Sequence, residues 1–101
     1  MKDFTQSPFK RDLISVPGIG PKSAKRLESA KEDAVHTPEE LHTIFLSLAD
    51  PGIGRQEHGD RFRLWLARKG ITTSFCNTIT RAFIERLDFH TPLFYGIVII
   101  R

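Results

Sequence analysis

The chain is poor in cysteine, in long apolar runs and in net charge of either sign. Its one cysteine, Cys76, cannot close an internal disulfide, which argues against a disulfide-stapled secreted domain and leads us to expect a reducing, intracellular setting. No apolar stretch approaches the roughly 20 residues that a bilayer crossing needs, and no N-terminal apolar run reads as a signal peptide. The four histidines, His36, His42, His58 and His90, show none of the spacings to cysteine or carboxylate that metal sites use, so loop or surface positions are expected for them and neither a metal nor a cofactor is. No nucleophile has an evident base partner. At 101 residues one modest core can form and a second domain cannot, which weighs against most enzymes that need an enclosed pocket.

What charge there is has a pattern. The chain carries 15 Lys+Arg against 12 Asp+Glu and a pI near 9.4. Residues 1–31 hold seven basic and three acidic groups, residues 32–54 hold five acidic groups and no basic one, and residues 55–81 hold six basic and two acidic groups. Two basic segments around an acidic one could fold onto one polyanion-attracting surface; they could equally be the solvated faces of helices.

Helix punctuation recurs along the chain. Gly20 and Pro21 open a helix that runs from Lys22 to about Ala30, with proline where its missing N–H costs nothing. Thr37, Pro38 and Glu40 form a capping box that starts a helix to about Leu48. Its Leu41, Ile44, Phe45 and Leu48 make an apolar stripe that is either core or, in the sharper reading, a dimer interface. Asp60 is read as the N-cap of a helix from Arg61 to Lys69, stopped by Gly70 and facing Phe62, Trp65 and Leu66 one way. A last helix should begin at Thr73 or Ser74 and bury Cys76, Ile79, Phe83 and Leu87. These elements predict an all-α, compact bundle of about five short helices, with residues 1–90 as the domain and residues 91–101 as an apolar C-terminal extension. Left exposed, a tail of that kind is an aggregation hazard, so it should pack on the core, pair with a second copy or be held by a partner.

The stretch that carries function is Leu13 to Leu27. Gly18 and Gly20 allow a sharp turn, Ile19 between them can plug the core, and a helix starts at once, so its unpaired N–H groups and positive dipole end suit phosphate. Lys22, Ser23, Ala24, Lys25 and Arg26 surround that end. The pattern closely resembles the helix-hairpin-helix motif, which grips the nucleic-acid backbone without reading sequence; an ordinary glycine turn before a helix is the plainer alternative. A second Pro51-Gly52-Ile53-Gly54 invites comparison, but His58 and Arg61 fall where Ala24 and Leu27 stand in the first, so a loop bearing Arg55 is expected.

Taken in order, the motifs resemble barrier-to-autointegration factor, a family of small all-helical dimeric DNA-binding proteins. The resemblance runs from about Lys2 to Phe89. Its anchors are Lys2-Asp3-Phe4 and Pro8, then Arg11, Leu13 and Val16 before Gly18-Ile19-Gly20, Phe45 to Leu48, Arg61-Phe62-Arg63-Leu64-Trp65-Leu66 as the most specific, and Glu85 and Asp88. It implies a non-enzymatic, sequence-independent double-stranded DNA-binding protein whose homodimer bridges or compacts DNA. Implied contacts are Gly18, Ile19, Gly20, Lys22, Ser23 and Ala24, with Thr73 and Ser74 at the start of the last helix; Ser74 stands where the family has a lysine nearby. The family also implies a chromatin or nuclear setting and LEM-domain proteins as partners. This chain departs from it in beginning late in the first helix, in a longer loop from Ala49 to Asp60 and in the tail. A helix-hairpin-helix DNA-repair accessory module and a protein-interaction adaptor are the competing classes.

Overall fold

The computed structural model describes residues 2–95. Among them are five α-helices, α1 (Lys2–Gln6), α2 (Pro21–Glu28), α3 (Pro38–Ser47), α4 (Arg55–Arg68) and α5 (Thr73–His90), a 3-10 turn at Leu13–Ser15, and no strand. They form a compact all-α bundle. The longest helix, α5, has 18 residues and so spans about 27 Å; it packs against α4 on one side and α1 on another.

An aromatic centre holds the bundle together. Phe45, Phe62 and Phe83, one each from α3, α4 and α5, are fully enclosed. Phe45 meets Phe62 edge-on at 5.0 Å between centroids and Phe62 meets Phe83 edge-on at 5.4 Å. Such contacts add about 0.5–1.5 kcal/mol each to the burial of the rings. The stripe Cys76, Ile79, Phe83 and Leu87 is buried as its spacing predicts, and Ala82 and Thr80 join it. Cys76 is a core residue whose Sγ donates to the Ile71 carbonyl, and burial pushes its thiol pKa up.

The short helix α1 is fastened by a side chain some 80 positions later. Arg86 Nη1 donates to the carbonyls of Phe4 at 2.7 Å and Ser7 at 2.6 Å, taking carbonyls that a helix end leaves over. Its guanidinium also lies 3.8 Å from the Phe9 ring centroid, a cation–π contact.

One boundary and one cap differ from the sequence reading. The helix expected from Arg61 begins six residues earlier, at Arg55. Asp60 is inside it, accepting from Gln56 Nε2 at 3.0 Å and from Arg63 at 2.9 Å, so a residue type that favours caps here serves side-chain pairs on the helix surface. The loop expected to reach Asp60 therefore ends at Gly54. At α3, Thr37 accepts from the Glu40 N–H as a capping box requires, but Glu40 returns to the His36 N–H rather than to that of Thr37. Of the C-terminal extension, Phe94 and Tyr95 pack against the core; residues 96–101 lie outside the described residues.

Candidate nucleic-acid interface

The turn before α2 is set by its residue order. Proline at 17 and glycine at 18 occupy the middle of a turn closed by the Ile19 N–H on the Val16 carbonyl at 3.0 Å, and Gly18 takes φ +93°, which other residues resist. Ile19 is buried, so the turn is plugged into the core. Gly20, with φ −99° and ψ −176°, is the N-cap of α2 and supplies no side-chain cap. Pro21 has no N–H, and the amides of Lys22 and Ser23 lie in the first turn, where no intrahelical acceptor exists. The helix dipole adds about half a positive charge at this end.

Ser23 is the most telling residue of the turn. It is only 8% exposed as a residue and borders the depression formed with Gly18, Ile19, Gly20, Pro21 and Lys22, but its hydroxyl is open to solvent, Thr80 Oγ1 being the fully buried side-chain polar atom without a partner among the described residues. A hydroxyl in this position can donate to a group that enters the depression.

The fold brings the second predicted segment to the same place. A Cβ on Gly18 would fall 2.9 Å from Ile79 Cγ1 and 3.1 Å from Thr78, so the turn rests directly on α5. Phe75, from the first turn of α5, completes the wall of the depression, which measures about 410 Å³. Thr73 and Ser74 are exposed beside it at a helix start that also has no side-chain cap. Behind them, Arg26 Nη1 reaches within 2.6 Å of where a Gly70 Cβ would be. Lys22, Lys25 and Arg26 are exposed and belong to no ion pair among the described residues; the pairs all lie between His36 and Asp88.

The second glycine turn corrects one expectation. Gly52 has φ +93°, the same as Gly18, and Gly54, at φ −94° and ψ −175°, caps α4 as Gly20 caps α2. The Ile53 N–H closes on the Asp50 carbonyl at 3.2 Å, so this is the same turn and not an irregular loop. The downstream sequence hides the likeness because His58 fills the buried place that Ala24 fills in the first copy. Charge separates the two turns. Glu57 stands in the first turn of α4, Asp50 and Glu57 share Arg61 at 2.7 and 2.9 Å, and Arg55 is held by Asp88 at 2.6 Å, whereas the first turn of α2 has no acid.

The remaining predicted residues are placed as follows. Leu41 and Phe45 are wholly enclosed in the chain's own core, and Ile44 and Leu48 are half-buried against it, so the stripe serves the bundle's interior rather than an open face. Ala24 is also interior, and its N–H is already given to the Gly20 carbonyl at 2.9 Å, which leaves it without a free donor for a ligand. Among the histidines, His36 and His90 are exposed and His42 is half-buried, but His58 is fully buried, against the surface position expected. It stacks on Phe45 at 4.1 Å and bonds to the Phe45 carbonyl and the Tyr95 hydroxyl, which is why the core accepts it. Phe75, 48% exposed, was not anticipated. Its being apolar yet off the Cys76–Ile79–Phe83–Leu87 stripe was the available signal.

No family model, curated protein or solved structure matches this chain.

Proposed function

We propose that the chain is a non-enzymatic, sequence-independent double-stranded DNA-binding protein of the barrier-to-autointegration factor type, with the Val16–Ala24 turn acting as the hairpin of a helix-hairpin-helix. The observation that carries this reading is the uncapped start of α2, where the Lys22 and Ser23 amides and the Ser23 hydroxyl border one depression amid Lys22, Lys25 and Arg26, none of them in an ion pair among the described residues. Phosphate oxygens supply the acceptors and charge that this arrangement lacks. Backbone amides and a hydroxyl aimed at phosphates carry no sequence information, which accounts for binding without base preference. Bridging requires two hairpins per particle, so in this reading a second copy supplies the other one, and the solution mass should rise to that of a dimer.

Affinity for unrelated duplexes, measured at several salt concentrations, tests the reading. Each phosphate neutralised should contribute about −0.9 to the slope of log affinity against log salt, and a marked preference for one sequence or a flat salt dependence overturns it. The decisive variant is Gly20→Glu. Its backbone suits any residue and nothing lies within 4 Å of a Cβ there, so the fold should survive while the carboxylate occupies the phosphate position. A folded variant that binds like the parent refutes the hairpin assignment.

A further inference from the structure

A second basic depression lies on the other side of α5. It measures about 490 Å³ and runs between α4 and α5, bordered by Arg55, Gln56, Arg63, Asn77, Arg81 and Ile84. On α5, Asn77, Arg81 and Ile84 recur at spacings of four and three and so share one face; Ile79, which with Thr78 rests against Gly18, lies on a different one. On α4, Gly59 makes the groove possible. A Cβ there would fall 3.1 Å from Ile84 Cδ1 and 3.2 Å from Arg63 Nη1, so the missing side chain leaves the room in which the Arg63 guanidinium lies.

Three guanidiniums and two carboxamides therefore border one open groove, and no lysine does. Planar forks of N–H donors suit oxyanions that can accept two bonds at once, phosphate above all. Two carboxylates already engage part of the set, Asp60 with Arg63 at 2.9 Å and Asp88 with Arg55 at 2.6 Å. Both pairs are solvent-accessible, and exposed pairs of this kind hold their partners weakly. Arg81 is in no ion pair, and the Asn77 side chain has no hydrogen bond among the described residues.

The groove and the hairpin both rest on α5, the groove along Asn77, Arg81 and Ile84 and the hairpin on Thr78 and Ile79, and a helix with its side chains is about 10–12 Å across. No acidic residue occurs on α5 before Glu85. We infer that Arg81 and Asn77, with Arg63 behind them, hold a second phosphate of the nucleic-acid backbone gripped at the hairpin, so that the footprint straddles the N-terminal half of α5. This rests on the nucleic-acid reading above and adds a contact surface that the hairpin motif does not contain.

The test compares Arg81→Gln, Gly20→Glu and a charge-matched Lys10→Gln in duplex titrations at several salt concentrations, with circular dichroism to confirm folding. Arg81 and Lys10 are both exposed, so neither change should disturb the fold. Arg81→Gln should weaken binding about 5- to 10-fold at low salt, uniformly across sequences, and make the salt slope shallower by about one, while Lys10→Gln changes the slope little. If Gly20→Glu abolishes binding but Arg81→Gln behaves like Lys10→Gln, the groove is outside the footprint and the inference falls while the hairpin stands. If Gly20→Glu binds like the parent, the hairpin reading fails, and the straddled footprint fails with it whatever Arg81→Gln does.

Discussion

Gly18 and Ile79 are in such close contact that a single methyl group on the glycine would lie 2.9 Å from Ile79 Cγ1. The turn and α5 are therefore one packed unit, and the two glycines of the turn have separate tasks. Gly18 needs both its φ of +93° and its lack of a side chain. Gly20 needs neither for folding. Gly18→Ala should thus cost about 2–4 kcal/mol, from a strained backbone plus overpacking against α5, whereas Gly20→Ala should stay within about 0.5 kcal/mol of the parent. Urea unfolding of the two variants checks this; equal stabilities would mean that the turn does not rest on Ile79 as described.

That contact also marks where sequence reading stops. Helices α2 and α3 were legible because proline at N1 and the Thr37 cap announce them, and α5 because its buried stripe repeats at helical spacing. The start of α4 was not. Gly59 and Asp60 imitate a helix boundary, while the real boundary, Gly54, hides in a turn whose downstream residues differ from the first copy. The meeting of Gly18–Ser23 with Phe75 joins segments some fifty positions apart, and neither segment's pattern encodes the other. His58 was misread for a related reason: its buried place depends on Phe45 and Tyr95, which only folding brings to it.

Thr80 offers a test of the α4–α5 seam. Its Oγ1 is fully buried with no hydrogen-bond partner among the described residues, whereas Thr78 nearby donates to the Ser74 carbonyl at 3.2 Å. Its methyl Cγ2 lies 3.4 Å from where a Gly59 Cβ would sit, so the shape of the side chain matters to the helix contact. Valine keeps that shape and removes the unpaired hydroxyl. Thr80→Val should stabilise the fold by about 1 kcal/mol, a rise of roughly 4–8 °C in Tm for a domain of this size. A fall in Tm would show that the hydroxyl has a partner in solution.

The last prediction concerns pH and follows from the buried imidazole. His58 Nε2 lies 2.7 Å from the Phe45 carbonyl, which can only accept, so Nε2 carries the proton and Nδ1 accepts from the Tyr95 hydroxyl at 2.8 Å. This is the neutral ring. Burial holds its pKa below the ordinary 6.5, with Arg61 adding to the shift and the Phe45 carbonyl opposing it. Around the pair, Arg55 lies over the Tyr95 ring and Asp88 holds Arg55; burial, with Asp88 adding to it, pushes the tyrosine up to about 12. His42 is lowered as well, by burial first and then by Arg86 and His90. A histidine whose folded pKa is depressed binds its proton more readily when unfolded, so stability is complete above about pH 6.5 and declines as pH falls through that value, levelling off once the folded imidazole titrates. Each histidine contributes at most about 1.4 kcal/mol per pH unit. Urea midpoints between about pH 7.5 and pH 5 should therefore fall, and His58→Gln should make that fall shallower even if it lowers stability throughout. Tyr95→Phe strands Nδ1 and should cost about 1–2 kcal/mol at pH 7.5. A slope unchanged by His58→Gln would mean that this imidazole titrates alike in the folded and unfolded chains.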